Sequence, residues 1–292
     1  MLILAPLRGV TIRCFRECFA DEIREAGFTE AITPFITANR GVKAMNDREL
    51  RGSANLPHSE GKLKITPQFI GKDSKALKDC LLEIKAAGYD AADLNCGCPY
   101  PMVRNKGRGS GLLRMPSVME SMIATGCEVM GPGKFSVKAR LGVERKDELL
   151  KLLPMINSYP LRFLTVHGRV ARQMYEGACD DAAVDAVVAA AKVPVVRNGD
   201  IPLPLEGDSS SPVMIGRAFI RSLGDHGDIL KSLSRYMEAS AAELCGERAV
   251  LGRMKELFAY WKESPRWRRR WEVIKLCRTM QELRSVLGGV ES

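Results

Sequence analysis

Ala91-Ala92-Asp93-Leu94-Asn95-Cys96-Gly97-Cys98-Pro99 reads as a short apolar segment running straight into a tight loop, and Gly107, Gly109 and Gly111 follow soon after. An apolar run of this length, closed by glycine and proline, is the pattern of a buried strand ending in a turn. The turn displays a thiol at the strand end, a position that suits chemistry. Seven further runs share the pattern: Leu2 to Ala5, Glu30 to Thr33, Thr66 to Ile70, Lys134 to Lys138, Phe163 to Val166, Pro194 to Arg197 and Val213 to Ile215. None clearly alternates, as expected for parallel strands covered on the outside. Amphipathic stretches such as Lys75 to Ala87, Asp147 to Ile156 and Asp181 to Ala191 lie between them.

Eight strand–helix units predict an α/β chain folded as a (β/α)8 TIM barrel that ends near residue 223. The alternative is an open doubly wound sheet, whose Gly-x-Gly-x-x-Gly fingerprint after the first strand is missing. One unit is irregular. Asn198-Gly199-Asp200 leads into Ile201-Pro202-Leu203-Pro204 and then Glu206-Gly207-Asp208-Ser209-Ser210-Ser211-Pro212. Three prolines and three serines make a poor helix, so a loop or single turn is expected there. The barrel flank would then lie open or be covered by the C-terminal segment. Beyond residue 224 the pattern is all helical. Three helices are expected over Ile229 to Cys245, Arg248 to Lys262 and Arg266 to Leu287, separated by Gly246 and Pro265.

Composition narrows the class. The 292 residues are 46% hydrophobic and 27% charged, enough for a sizeable core. No apolar run approaches the ~18 residues of a membrane span, so no membrane partner is expected. The N-terminus is too short and uncharged for a signal peptide, and a cytoplasmic location follows as the default. The net charge of +9 suits nucleic acid or other acidic partners. Nine cysteines, an odd number, argue against a disulfide framework. Cys96-x-Cys98 has no second close pair, so no metal site is expected.

Barrel enzymes carry their chemistry at the C-terminal ends of the strands. Read in order, those ends supply Pro6, Leu7 and Arg8; Gln68; Asn95 and Cys98; Lys138 and Arg140; His167 and Arg169; Asn198, Gly199 and Asp200; and Gly216 with Arg217. Barrels commonly bind phosphate in the loops after strands seven and eight, where glycine admits a close approach and arginine adds charge-assisted hydrogen bonds. A lysine in a barrel mouth needs a partner, either a bound anion or electron-rich edge, or an acidic neighbour. His167 is either a neutral donor or a core histidine. The tail adds Arg266-Trp267-Arg268-Arg269-Arg270-Trp271, and Arg253 to Arg284 holds 10 basic against 4 acidic residues. Such a mixture can grip phosphates and stack on bases, or its tryptophans can pack inward.

In this order the motifs resemble the tRNA-dihydrouridine synthases. The similarity runs through Ala5-Pro6-Leu7-x-Gly9-Val10-Thr11, Asn95-x-Gly97-Cys98-Pro99, Val137-Lys138-Ala139-Arg140 and His167-Gly168-Arg169 with Tyr175. It continues through Asn198-Gly199-Asp200, Met214-Ile215-Gly216-Arg217 and Arg253-Met254-Lys255 with Tyr260. The resemblance implies an FMN-binding catalytic barrel over 1–223 and a helical tRNA-binding domain over 224–292. It implies NADPH as electron donor and a D-loop uridine of tRNA as substrate, with Cys98 giving a proton to the uracil ring. Pro6, Leu7 and Arg8 would line the flavin, and Gln68, Lys138 and His167 would hold its ring edge. Asn198, Gly199, Asp200, Gly216 and Arg217 would surround its phosphate. Asn95 would meet the base edge. Arg140, Arg169, Arg172, Arg266, Arg268, Arg269 and Arg270 would meet the RNA. Cys96 is expected to be structural, turned to the side opposite Cys98. A monomer is expected. Competing readings are a small-molecule FMN oxidoreductase, a flavin-dependent RNA methylase and an RNA-binding module without catalysis.

Overall fold

The structure is a computed structural model that describes residues 1–50, 63–205 and 211–288. Its strands are β1 (Leu2–Leu4), β2 (Glu30–Ile32), β3 (Ile36–Thr37), β4 (Lys64–Thr66), β5 (Gln68–Ile70), β6 (Ala92–Cys96), β7 (Phe135–Gly142), β8 (Leu164–Val170), β9 (Val195–Asn198) and β10 (Val213–Ile215). Its helices are α1 (Arg13–Cys18), α2 (Ala20–Glu25), α3 (Ser74–Ala86), α4 (Pro101–Arg104), α5 (Pro116–Met130), α6 (Glu148–Ile156), α7 (Asp181–Ala190), α8 (Arg217–Leu223), α9 (Ile229–Glu243), α10 (Glu247–Trp261), α11 (Arg268–Ile274) and α12 (Met280–Gly288).

All eight expected strands are present. Ten segments arise because Pro67 splits the third strand and the short β3 extends the second. The sheet runs β3-β5-β6-β7-β8-β9-β10-β1-β2-β4, all parallel. Its last member, β4, is joined to β5 through Pro67 alone, so the chain itself closes the barrel. Proline has no N–H to give the ladder. Its carbonyl accepts from the Asp93 amide at 2.9 Å, and the Gln68 amide turns to Thr33 Oγ1 at 3.0 Å.

Three strands run further than the sequence suggests. β6, β7 and β8 continue through Cys96, Gly142 and Val170 because their ladders persist, pairing Asn95 with Lys138 and Arg140 with His167. The residues singled out for chemistry therefore sit largely on strands, which position side chains more tightly than loops do.

Strand alternation sorts the side chains. Outward positions on β6 to β8, such as Leu94, Val137 and Val166, pack with Leu77, Ile84, Met122 and Leu153 of the covering helices. Inward, Ile3, Ile32, Phe163, Val196 and Met214 form an apolar plug. Near the N-terminal end of the barrel, Arg162 grips Glu30 with two hydrogen bonds of 2.6 and 2.7 Å, and Glu30 also accepts from Thr66 Oγ1.

Among the described residues no helix lies between β9 and β10, as expected; residues 206–210 of that stretch lie outside them. Ile201, Leu203 and Leu205 are half-buried against a cluster that the tail shares with the barrel. In that cluster Phe15 of α1 and Phe19, between α1 and α2, meet Tyr236 of α9. Trp261 and Trp267 are buried, their indole N–H groups donating to the Ile220 and Gly224 carbonyls at 2.7 and 2.6 Å.

The single third tail helix expected over Arg266 to Leu287 is instead two, α11 and α12. Thr279 Oγ1 accepts from the Glu282 amide at 3.1 Å, and the Glu282 carboxylate accepts from the Arg278 amide at 2.6 Å. That Thr-x-x-Glu pattern starts a new helix. Among the described residues no helix is long and apolar enough to cross a membrane.

Arg162→Ala strands the buried Glu30 carboxylate. It is expected to cost about 3–5 kcal/mol of stability, measured by denaturant unfolding. A loss below about 1 kcal/mol would show that the pair does not hold the barrel floor.

Candidate functional site

The C-terminal ends of the strands surround a cleft of about 540 Å³. Cys98, Asn95, Lys138, Arg140, His167, Pro6, Leu7, Arg8, Asn198, Gly199, Asp200, Gly216 and Arg217 all line it. The parallel register explains the convergence. Asn95 pairs with Lys138, Arg140 with His167, His167 with Asn198, and Asn198 with Met214, so successive inward positions climb the same rim.

The thiol is displayed by a loop fixed on several sides. Asn95 Oδ1 accepts from the Gly97 and Cys98 amides at 3.1 and 2.9 Å. Ser110 donates to the Cys98 carbonyl through its amide (3.1 Å) and its hydroxyl (2.8 Å). Gly109, at φ +57°, lies against Cys98 so closely that a Cβ there would come within 2.7 Å of the Cys98 Cβ. Arg140 donates from Nε to the Gly97 carbonyl at 3.0 Å. Cys98 is 8% exposed, and burial raises its pKa against the opposing pull of the Tyr100 amide, Arg140 and Arg8. The sulfur is therefore a thiol at neutral pH.

Cys96 points outward into the core with Leu94 and Ala139, so it is structural as expected. Strand alternation is not the reason, because residues two apart on a strand share a face. β6 ends at Cys96, and Gly97 turns the chain before Cys98.

Lys138 is the most exacting group. Burial lowers its pKa to about 7, Arg140 adds to the lowering, and Asp93 opposes it. Its ammonium donates to Asn198 Oδ1 at 2.6 Å, while Asn198 Nδ2 donates to the Met214 carbonyl at 2.8 Å. His167 is held neutral, its pKa far below the usual value through burial and then the cations Lys138, Arg140, Arg169 and Arg217. Its Nδ1 is buried and has no hydrogen-bond partner among the described residues.

Other expected site residues fall elsewhere. Gln68 is fully buried beneath the cleft and does not line it; its amide bonds Asp93 and Asn95, both at 2.7 Å. Arg169 also lies behind the cleft wall, where it ties the Gly177 carbonyl to the Asp200 carboxylate. Asp200 in turn accepts from Arg217 at 2.6 Å, so its carboxylate is spent on arginines. Arg172 is exposed outside the cleft, 3.7 Å from Glu144. Arg266, Arg268, Arg269 and Arg270 of the tail do not line the cleft. Arg266 donates to the His226 carbonyl at 2.8 Å and Arg270 to the Arg266 carbonyl at 3.0 Å, both over the Trp267 ring, whereas Arg268 and Arg269 are exposed.

Several further residues line the cleft. Tyr175 lies between the Arg140 and Arg217 guanidinium groups, each 5.2 Å from its ring. Tyr100, Arg221, Glu256 and Tyr260 also line the cleft. Tyr175 and Tyr260 stand in motifs already noted, whereas no sequence signal points Glu256 toward the mouth.

Lys138→Met removes an ammonium that is costly to bury. Its folded pKa of about 7 lies below the ordinary 10.5, so the cost is complete below pH 7 and fades as pH rises toward 10.5. The variant is expected to be about 1–4 kcal/mol more stable than the parent at pH 6 and equal to it near pH 11, as read from pH-dependent unfolding. A destabilised variant at pH 6 would contradict this electrostatic picture.

Residues 3–221 match the family model described as "Dihydrouridine synthase (Dus)". The tRNA-dihydrouridine synthase B of Vibrio cholerae is 30% identical over 224 residues, 74% of this chain and 66% of that protein. A probable tRNA-dihydrouridine synthase of Helicobacter pylori is 27% identical over 280 residues, 89% of this chain and 83% of that protein. Among solved structures, an old yellow enzyme homologue from Zymomonas mobilis shares the fold at a TM-score of 0.56 and 13% identity, over 75% of this chain and 85% of that one. With three quarters of its length matched by the family model and its motifs gathered on one barrel rim, this chain belongs to the dihydrouridine synthase family.

Proposed function

We propose that this protein reduces a uridine of tRNA to 5,6-dihydrouridine, with FMN as bound cofactor, NADPH as electron donor and Cys98 as proton donor. The observation that carries the reading is a thiol kept protonated in the same cleft as Lys138 and His167. Family membership and the relatives' names support the RNA substrate.

The residues of the cleft fit a flavin. His167 Nδ1 is a buried polar atom in need of a partner. Gly199, at φ +112°, lets the cleft backbone lie tightly against its neighbours, since a Cβ would come 2.6 Å from Cys179 Sγ and 3.3 Å from His167 Nε2. Pro6, Leu7 and Arg8 would line the ring system, with Lys138 and His167 at its polar edge. Asn198, Gly199, Gly216 and Arg217 would meet the phosphate, and Asp200 would aim Arg217 at it. FMN supplies, when bound and reduced, the hydride for C6 of the uracil.

The protein's own part is acid, orientation and charge. Cys98 Sγ gives its proton to C5, a role that suits a thiol and defeats a serine hydroxyl, which is far too weak an acid. Arg140 and Arg8 then stabilise the resulting thiolate until solvent reprotonates it. A uridine must leave its stack to enter the cleft. Exposed Arg172, Arg268 and Arg269 are available to phosphates, whereas Arg266 and Arg270 brace Trp267.

Purified protein is expected to carry FMN and to form dihydrouridine in unmodified tRNA with NADPH. Cys98→Ala should lower kcat at least about 100-fold while the flavin spectrum and tRNA affinity stay unchanged. Full activity in that variant would remove Cys98 from the chemistry. Arg268→Glu with Arg269→Glu should weaken tRNA binding and flatten its salt dependence by about one unit of slope per lost phosphate contact. An unchanged slope would take α11 out of the RNA surface.

A further inference from the structure

Asp93 is a fully buried carboxylate inside the barrel, and the proposed reaction gives it no part. Its two oxygens accept from Ser136 Oγ at 2.6 Å and from Gln68 Nε2 at 2.7 Å. Gln68 Oε1 accepts from Asn95 Nδ2 at 2.7 Å. Asn95 Oδ1, the next acceptor, faces the amides of Gly97 and Cys98. The four residues form one unbroken series from the barrel interior to the thiol loop.

We propose that Asp93 is a positioning residue for Cys98, fixing the direction of both amides above it and so aiming the Asn95 oxygen at the loop that displays the thiol. This deepens the reading of Cys98 as proton donor and rests on it.

Donors and acceptors fix the direction of the series. An ionised carboxylate only accepts, so Gln68 must turn its NH2 toward Asp93. Its oxygen then faces Asn95, which must answer with NH2. Only the Asn95 oxygen is left for the loop. Reversing either amide sets two NH2 groups, or two oxygens, face to face in a dry interior where a missed hydrogen bond is costly. Without an acceptor at position 93 nothing at the lower end of the series holds the Gln68 NH2.

Both Asp93 oxygens accept in the structure, which is the hydrogen-bond pattern of the ionised group. Burial raises the Asp93 pKa to about 6, against its hydrogen bonds from Ser136 and Gln68 and the Lys138 charge, with Glu30 adding to the rise. Lys138 hydrogen-bonds Asn198, so the direct bonds of Asp93 to side chains all serve the series. On the loop, Arg140 and Ser110 hold the carbonyls of Gly97 and Cys98, and Asn95 holds their amides. The loop is gripped on both sides, and Asp93 sets one of them.

The test uses the full-length holoenzyme with two readouts: tRNA reduction kinetics, and the iodoacetamide alkylation rate of Cys98 resolved by peptide mass spectrometry. Gln68→Leu and Asp93→Leu are each expected to lower kcat about tenfold, with KM for tRNA unchanged and Cys98 alkylated several-fold faster. Asp93→Asn should stay within about threefold of the parent in both readouts, because its oxygen can accept from Gln68 while its NH2 donates to Ser136. The double Leu variant should be no worse than the worse single, as links in series require.

The proposal is overturned if Gln68→Leu leaves Cys98 alkylation unchanged. It is equally overturned if Asp93→Asn is as impaired as Asp93→Leu, which would make Asp93 a counter-charge for Lys138, or if the two Leu effects multiply. Should Asp93→Leu fail to fold, Gln68→Leu and Asp93→Asn decide the matter. Faster alkylation with unaltered turnover would uphold the positioning series and remove Cys98 as proton donor, which separates the two claims.

Discussion

The closure of the sheet at Pro67 is the constraint on which the rest of the molecule depends. A parallel ladder alone would leave an open sheet with two edges and no common interior. Because the third strand spends its first half on β2 and its second half on β3 and β6, the ladder returns to its start. The missing proline N–H is absorbed by a local exchange in which Thr33 Oγ1 takes the Gln68 amide. Once the ring is closed, inward side chains at equivalent heights must face one another. That geometry brings Asn95, Lys138, His167 and Asn198, dispersed over more than a hundred residues of chain, onto one rim.

The interior has a functional gradient. Its apolar middle of Ile3, Ile32, Phe163, Val196 and Met214 resembles an ordinary core, and the Glu30–Arg162 pair closes its lower end. Toward the mouth the same inward positions become an ammonium, a neutral imidazole and buried amides. An all-apolar rim would be more stable, because burying charge and unpaired polar atoms opposes folding. The shared core between barrel and tail helps offset that cost. Trp261, Trp267, Tyr236 and Phe258 bury large apolar surfaces against α1 and α8. The tail is thus structural in its tryptophans and solvent-facing in Arg268 and Arg269.

The strands, their parallel order and most cleft residues were legible in the sequence, since short apolar runs and strand-end motifs follow from local chemistry. What was not legible depends on long-range geometry. β6 to β8 run past the ends their sequences suggest, because polar residues facing into a barrel mouth look like loop. Gln68 and Arg169 lie near strand ends, the usual place of cleft residues, yet hydrogen bonds to Asp93 and Asn95 and to Gly177 and Asp200 draw them behind the wall. Glu256 reaches the cleft from α10 through tertiary packing, and no motif announces it. The split between α11 and α12 was readable in Thr279-x-x-Glu282, which a long amphipathic pattern masked.

Nucleoside mass spectrometry of bulk tRNA, from cells that lack this gene and from the same cells with it restored, tests the central claim most directly. Loss of dihydrouridine at a single position on deletion, and its return on restoration, is the expected result. An unchanged dihydrouridine content at every position would contradict uridine reduction in tRNA as the function of this barrel.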